Sequence, residues 1–328
     1  GHGCAIEQEL KEHHTLLPSS KRVCMGLECP EMLTTCRYLH AFFFLLCHLS
    51  EQMIAATPVK ALFWNVFEGL GGRTDPRMKE LKRIVSDFHV VTLSELNHWD
   101  ANALHEFFRE DFPFSIFLET KTGYHLGALS KAPIIEKVVS SDKPMHHGIL
   151  VFETYSIIFC LIHLDPHSSE KRVSEVKHIS NTLSPYMDKP VLILGDFNTL
   201  SPTDNYTEDS LKTLYDNRQT RKKFFRSSQI DYRPFTHLTV SDTYFDLGKA
   251  NDFSVPTPVN ADFMHATKLR LDYIMGNEHA RRASLSAAAV LNNEETSVLS
   301  DHFPITITFD RSVLASWKSQ GGGAKEDL

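Results

Sequence analysis

Short apolar runs recur along the chain from Thr57 onward, and polar or turn-forming residues separate them. Runs that are rich in Val, Ile, Leu and Phe and bounded by such residues are typical of buried strands. Seven segments have this character: "VKALFWNV", "FHVVTLSEL", "LGALS", "ILVFETYSIIFCLIHL", "PVLILGDF", "LRLDYIM" and "HFPITITF". The pattern therefore predicts a chain built around β-strands.

Helical spacing of apolar residues lies between some of these strands. Met78 to Phe88 has an apolar face of this kind, and Ser168 to Met187 has another. The interval from Leu200 to Lys268 lacks such a pattern and is predicted to be loop-rich. Residues 312–328, which end in "GGGAKEDL", are predicted to form a flexible tail.

The first 56 residues form a separate leader in this interpretation, and the domain spans residues 57–311. Within 32–56, one Arg precedes an apolar stretch from Tyr38 to Leu49 and then the small residues Ala55 and Ala56. That order predicts a signal peptide, and a short membrane anchor or a helix packed on the domain are the alternatives. We therefore expect a secreted or membrane-anchored protein, with an intracellular one as the alternative.

Charge and cysteine content restrict the possible functions only slightly. The formal net charge of −7 excludes binding of a polyanion through overall charge, so any contact with nucleic acid must be local. The basic run from Arg218 to Arg226 includes Phe224 and Phe225, and it predicts either such a contact or a solvated helix with two core phenylalanines. Beyond the leader the sequence has one cysteine, Cys160, which is predicted to be a reduced core thiol.

Polar side chains stand at the ends of the predicted strands. Each could be an ordinary end-of-strand residue, but together they offer carboxylates, amides and imidazoles. They are Asn65, Glu95, His163, Asp196, Asn198, Asp272, Asp301 and His302. The sequence therefore predicts that these residues meet at one site.

This set suits the metal-assisted hydrolysis of a phosphodiester. Mg²⁺ prefers oxygen ligands, and Asn65, Glu95 and Asp301 can supply them. His302 is predicted to accept a proton from the attacking water, with Asp272 fixing the orientation of its imidazole. Asp196 would orient the water or shuttle a proton, and the two remaining polar residues, Asn198 and His163, would donate hydrogen bonds to the phosphate.

The ordered motifs "WNV", "SEL", "LIHL", "GDFN", "LDYI" and "SDHFPI" resemble the endonuclease/exonuclease/phosphatase superfamily, which has the deoxyribonuclease I-like fold. The resemblance extends from about Lys60 to Phe309. It implies an α+β fold, a two-sheet β-sandwich flanked by helices in four layers (α/β/β/α). It also implies hydrolysis of phosphoester bonds with Mg²⁺, or with Mn²⁺ or Ca²⁺ in its place.

The resemblance also assigns roles by motif. Asn65 and Glu95 match metal-site positions, Asp196 with Asn198 matches the phosphate-site pair, and Asp272 matches the carboxylate that orients the general base. Asp301 and His302 match the terminal "SDH" element. His163 resembles the histidine of the deoxyribonuclease, sphingomyelinase and deadenylase branches, whereas abasic-site endonucleases usually have Tyr at that position.

Three features depart from the family pattern. Ser94 stands where relatives commonly have Gln, and Glu68 is only a candidate for an additional acidic residue of some repair enzymes. His146 and His147 in "PMHHG" match no family motif, and no role is predicted for them.

The predicted function is a metal-dependent phosphodiesterase, a nuclease acting on DNA or RNA. The alternatives are a sphingomyelinase-like phosphodiesterase with a phospholipid substrate and a binding module that has lost turnover. A monomer without a protein partner is expected.

Overall fold

The computed structural model describes residues 57–240, 243–259 and 267–320. The leader predicted for residues 1–56 lies outside them. The strands, in chain order, are β1 (Val59–Asn65), β2 (Val90–Ser94), β3 (Phe114–Leu118), β4 (Leu126–Ser130), β5 (Ile135–Ser140), β6 (Ile149–Thr154), β7 (Ile157–His163), β8 (Val191–Asp196), β9 (Phe225–Arg226), β10 (Gln229–Ile230), β11 (Phe245–Asp246), β12 (Asp272–Gly276), β13 (Ala289–Val290) and β14 (Ile305–Phe309).

Helices connect and cover these strands. In chain order they are α1 (Arg77–Val85), α2 (Ala101–Phe108), α3 (Ser169–Leu183), α4 (Glu208–Asp216), α5 (Arg218–Phe224), α6 (Arg233–Thr239), α7 (Glu278–Ala283), α8 (Glu294–Ser297) and α9 (Arg311–Gln320). Short 3₁₀ turns span Glu68–Gly71 and Ser184–Tyr186.

Within the described residues the strands form two six-stranded mixed sheets and one small hairpin, β9–β10. The first sheet has the order β13-β14-β1-β2-β4-β3, and the second has the order β11-β12-β8-β7-β6-β5. Each sheet contains one parallel pair near its centre, β1–β2 in the first and β7–β8 in the second. All other pairs in the two sheets are antiparallel.

Alternating side chains of β1 show how the layers are built. Ala61 and Phe63 lie in the core shared with residues of the second sheet, whereas Leu62 and Trp64 pack in a cluster with α1 and α2. The outer face of the second sheet is covered by α3 and α6. Because successive strand residues point to opposite faces, an apolar run such as that of β1 can be buried on both sides. The predicted four-layer α/β/β/α sandwich is confirmed.

The predicted secondary structure agrees with the structure in its main elements. All seven strand-like segments contain strands, and the long run "ILVFETYSIIFCLIHL" is the hairpin β6–β7 with Tyr155 and Ser156 in its turn. The two predicted helices are α1 and α3, and the Ser168 side chain caps α3. Cys160 is fully buried, as expected for a core thiol.

The interval from Leu200 to Lys268 was predicted to be loop-rich, and this was wrong for part of it. It contains α4, α5 and α6, which are all short. Each of these helices buries only one to three apolar side chains, such as Leu214 of α4 and Phe224 of α5. An apolar pattern this short does not repeat often enough to be recognised in the sequence.

The flexible tail predicted for residues 312–328 is also wrong in its first part, because α9 continues to Gln320. Trp317 follows Val313 by four residues and Leu314 by three, so the three side chains share one helix face. They pack on the core between the sheets. Leu314 is 2% exposed.

Among the described residues, no helix has the length and apolar character needed to span a bilayer.

Candidate active site

The side chains predicted to meet stand at one edge of the core between the sheets. Asn65 ends β1, His163 ends β7, Asp196 ends β8 and Asp272 begins β12. Each shares its face with apolar residues that fill the inter-sheet core, because strand residues two apart point the same way. In the second sheet, His163 and Asp272 both pair with Asp196 across neighbouring strands.

Close approach of β7 and β8 depends on Gly195. A Cβ at this position would lie 2.0 Å from the carbonyl oxygen of Ile162, and the φ angle of Gly195 is +156°. Only glycine fits against the neighbouring backbone at this distance. The "G" of "GDFN" therefore allows Asp196 to stand beside His163.

Glu68, Glu95 and Asp301 line one cavity, and we call them the acidic cluster. Oε1 of Glu95 accepts a hydrogen bond from Nδ2 of Asn65 at 3.0 Å, and Oε2 accepts one from the backbone N–H of Glu68 at 3.2 Å. The Asn65 oxygen accepts from the backbone N–H of Phe67 at 3.2 Å. In this orientation the amide positions the Glu95 carboxylate, and Asn65 would bind a cation only after turning its oxygen.

Strained backbone surrounds the acidic cluster. Glu95 has a φ angle of +60°, and Phe67 and Glu68 have φ angles of +36° and +51°. Left-handed conformations of non-glycine residues are costly and concentrate at functional sites. Here they turn the chain after β1 and β2 so that the Glu68 N–H meets Glu95.

His302 and Asp272 form the hydrogen-bonded pair that the sequence predicts. Nδ1 of His302 donates to Oδ2 of Asp272 at 2.7 Å, which leaves Nε2 directed toward Asp196, with 3.9 Å between Nε2 and Oδ2. Both side chains are buried. Asp196 Oδ2 also lies 3.6 Å from Nε2 of His163 and 3.4 Å from Nδ2 of Asn65, so this carboxylate is central to the site.

Asp196 and Asn198 both line the cavity, but not because they share a strand face. β8 ends at Asp196, and the backbone of Asn198 has a φ angle of +49°. The Asn198 N–H donates to Asp196 Oδ1 at 2.8 Å, and Nδ2 donates to the carbonyl oxygen of Leu164 at 3.1 Å. The two side chains are brought together by an Asx turn instead of by strand alternation.

Four histidines besides His302 line the same cavity, and we call His146, His147, His163 and His167 the histidine cluster. The rings of His147 and His163 are stacked with centroids 4.2 Å apart, and Nδ1 of His147 lies 2.7 Å from the Thr122 hydroxyl. Nε2 of His147 and Nδ1 of His163 are buried without a hydrogen-bond partner among the described residues.

Sequence reasoning predicted no role for His146 and His147, although the hairpin β6–β7 contained the signal. Thr154 pairs with Ile157 across a two-residue turn, and the same register pairs Ile149 with Ile162. Counting back along this register brings "HHG" beside His163. Tyr124 and Lys223 also line the cavity. No sequence pattern pointed to Tyr124, whereas Lys223 belongs to the basic run from Arg218 to Arg226.

Electrostatics differ strongly between the two clusters. Burial and the charge of Asp301 raise the pKa of Glu95 to about 7, and burial raises the pKa of Asp301. Burial lowers the pKa of His163 to about 3, assisted by the positive charges of His302 and Lys223, and it lowers the pKa of His147 as well. Carboxylates are thus crowded on one side of the cavity and neutral imidazoles on the other.

The pKa of His302 is raised to about 10. Burial alone would lower it, but the carboxylates of Asp272, Asp301 and Asp196 outweigh that effect. Burial also raises the pKa of Asp272, yet the 2.7 Å hydrogen bond holds the shared proton on the imidazole.

These observations fit a divalent cation. The cavity has a volume of about 500 Å³, and buried carboxylates whose pKa values are raised by burial and mutual repulsion would be stabilised by positive charge. Donor atoms of Asp196, Asp272 and His302 also lie within 4.8 Å of one another. We favour the acidic cluster as the cation site, because Oδ2 of Asp272 is already bonded to His302.

Comparison with known proteins gives one family match. The model described as "Endonuclease/Exonuclease/phosphatase family" matches residues 62–302. No curated protein shows significant similarity to the chain.

Similar solved structures share the fold at low sequence identity. An AP endonuclease from Archaeoglobus fulgidus has 13% identity and a TM-score of 0.54, covering 77% of this chain and 99% of its own. A 3′ phosphatase, NExo from Neisseria, solved with a product DNA hairpin, has 15% identity and a TM-score of 0.55, with the same coverage. A 3′-5′ exonuclease from Neisseria meningitidis has 14% identity and a TM-score of 0.55, covering 77% of this chain and 100% of its own.

Proposed function

Because the chain belongs to the endonuclease/exonuclease/phosphatase family, it is a phosphoric ester hydrolase, and we propose that it is a divalent-metal-dependent nuclease. Its substrates in this proposal are the phosphodiester bonds of DNA or RNA. The observation that carries the proposal is that His302, hydrogen-bonded to buried Asp272, lines the same cavity as the acidic cluster. Similar folds in DNA-processing enzymes support nucleic acid as the substrate class.

The cation would be held by Glu95 and Asp301, with Asn65 as a further ligand. All three offer oxygen atoms, which Mg²⁺ prefers and which Mn²⁺ and Ca²⁺ also accept. When bound, the cation would supply positive charge that offsets these carboxylates and stabilises charge developing on the phosphoryl oxygens. Offsetting that negative charge also matters for His302, whose raised pKa otherwise keeps the imidazole protonated at neutral pH.

The protein's own residues then provide the proton transfers. With Nδ1 bonded to Asp272, His302 would accept a proton from the attacking water through Nε2. The bond between that water oxygen and phosphorus forms as the ester bond to the leaving oxygen breaks. Asp196, whose Oδ2 lies 3.9 Å from Nε2 of His302, would relay the proton accepted there to the leaving oxygen. Asn198 and neutral His163 would donate hydrogen bonds to the phosphate.

A substrate panel tests this proposal. The purified full chain is incubated with plasmid DNA, RNA or sphingomyelin, each with Mg²⁺ or with EDTA, and His302→Ala is the control for contaminating nucleases. We expect Mg²⁺-dependent cleavage of nucleic acid by the wild-type protein and little by the variant.

Two results would contradict the proposal. Cleavage of sphingomyelin without cleavage of DNA or RNA would identify a lipid phosphodiesterase. Equal cleavage of nucleic acid in Mg²⁺ and in EDTA would remove the metal from the reaction.

A further inference from the structure

Lys223 of α5 is a buried cation in the wall of the catalytic cavity. It is 3% exposed, and it lines the cavity together with His163, Asn198 and His167. Fully buried lysines are rare, because removing the ammonium group from water is costly. Its neighbour Lys222 is exposed to solvent. The basic run that the sequence shows therefore turns one of its cations inward.

The backbone of Lys223 is held firmly in place. Arg172 of α3, itself 1% exposed, donates to the carbonyl oxygen of Lys223 and, at 2.8 Å, to that of Asp165. The next carbonyl, of Phe224, accepts from the Asp231 N–H at 2.7 Å. The Phe224 ring is buried, and the Lys223 ammonium lies 5.2 Å from its centroid. This support fixes the end of α5 against the segment that carries His167.

Lys223 adds a positive charge on the side of the cavity that holds the histidine cluster. The acidic cluster and Asp196 are negative, and the low pKa values of His147 and His163 leave these imidazoles neutral. The pKa of His163 also responds to the positive charge of Lys223. A phosphate that enters this cavity would meet carboxylates near Glu95 and the ammonium group of Lys223 on the wall that also includes His163 and Asn198.

We propose that Lys223 is a substrate-binding residue whose ammonium group binds a non-bridging phosphate oxygen in the catalytic cavity. The inference rests on the proposed function, since the phosphate is that of the phosphodiester substrate. An ammonium group binds phosphate as a point charge, and a hydrogen bond between two charged groups is stronger than one between neutral groups.

Kinetics with a small diester tests the proposal without contributions from a long polyanion. Hydrolysis of bis(p-nitrophenyl) phosphate in Mg²⁺ is compared for the wild type, Lys223→Met, Lys223→Arg and the matched control Lys222→Met. We expect Lys223→Met to raise KM at least about tenfold with a smaller change in kcat. Lys223→Arg should restore most of the loss, and Lys222→Met should remain within about twofold of the wild type. Circular dichroism and thermal unfolding check that each variant is folded.

A second measurement does not depend on turnover. Inorganic phosphate is titrated calorimetrically into the same proteins in EDTA, and we expect Lys223→Met to weaken its binding at least about tenfold while Lys222→Met leaves it unchanged. If the wild type binds phosphate but hydrolyses no phosphodiester, and Lys223→Met weakens this binding, the proposed function would be wrong and the phosphate site would stand. The inference would be overturned if folded Lys223→Met had the KM of the wild type and phosphate affinity did not differ between the two proteins. Absence of measurable phosphate binding in all the proteins, with that unchanged KM, would overturn it as well.

Discussion

The two sheets bring side chains to the site through similar topology but contribute different chemistry. Each has a central parallel pair whose carboxyl ends reach the same edge of the core, β1–β2 in the first sheet and β7–β8 in the second. The first pair leads to Asn65 and to Glu95, a member of the acidic cluster. The second ends in His163, a member of the histidine cluster, and in Asp196.

The difference teaches that strand topology sets where side chains meet, whereas burial and neighbouring charges set what they can do. Glu95 is destabilised as a carboxylate by burial and by Asp301, so a cation on its side of the site would stabilise it. His163 is buried beside another imidazole and stays neutral, so its ring offers a hydrogen bond without charge. Substitutions in each cluster separate these contributions.

The largest effect should come from the pair that joins the two sheets. His302 precedes β14 of the first sheet, and its partner Asp272 begins β12 of the second. We expect His302→Ala to lower kcat at least about a hundredfold, the usual scale for a lost general base, without unfolding the protein. His178→Ala on α3, outside the cavity, is the control. A folded His302→Ala protein with near-native kcat would exclude His302 as the base.

Changing the acidic cluster alone should alter metal dependence. Glu95→Gln removes one carboxylate from the proposed cation site, so we expect the Mg²⁺ concentration for half-maximal activity to rise at least about tenfold. The measurement is a Mg²⁺ titration of diester hydrolysis, with Glu119→Gln on an exposed site as the control. A Mg²⁺ titration identical to that of the wild type would argue against Glu95 as a metal ligand.

Changing the histidine cluster should lower kcat without altering metal dependence. His147→Phe keeps a flat ring against His163 but removes the hydrogen bond to Thr122, so we expect kcat to fall about tenfold. The Mg²⁺ titration should stay unchanged, because His147 lies in the histidine cluster and not among the carboxylates. If the titration shifted as far as in Glu95→Gln, the two clusters would not act separately.

The smallest expected effect is on stability, and it concerns a buried carboxylate that holds the backbone next to the histidine cluster. Glu175 is fully buried and accepts hydrogen bonds from the backbone N–H groups of His146 and Asp165, at 2.7 and 2.9 Å. Glu175→Gln replaces the carboxylate with an amide that has a single oxygen, so one buried N–H donor loses its acceptor. We expect a loss of about 1–3 kcal/mol in the free energy of unfolding. Urea unfolding measures it, with exposed Glu136→Gln as the control. No change in stability would mean that a rearrangement or a water satisfies the freed donor.

Strand and helix positions in the core were predictable because long apolar segments leave a clear pattern. The hairpin β6–β7, the strand β8 and the helices α1 and α3 all follow from it. The sequence did not predict α4, α6 and α9, because short helices with one to three buried residues barely differ from loops. For α5, a helix was one of the two interpretations of the basic run, and a helix with buried Phe224 is found there. Strands β3 and β5 were missed as well, since most of their residues are only partly buried.

For the site, the sequence by itself determined which residues end the strands and which chemical groups they carry, because strand ends follow from apolar patterning. Only the tertiary structure decided that Asp196 lies within 4 Å of both His163 and His302, that His147 stacks on His163, and that Lys223 turns inward. These contacts join residues far apart in the chain, and their geometry depends on sheet register and backbone support. Apart from the register of the β6–β7 hairpin, which its two-residue turn sets, no local pattern of residues determines either of them.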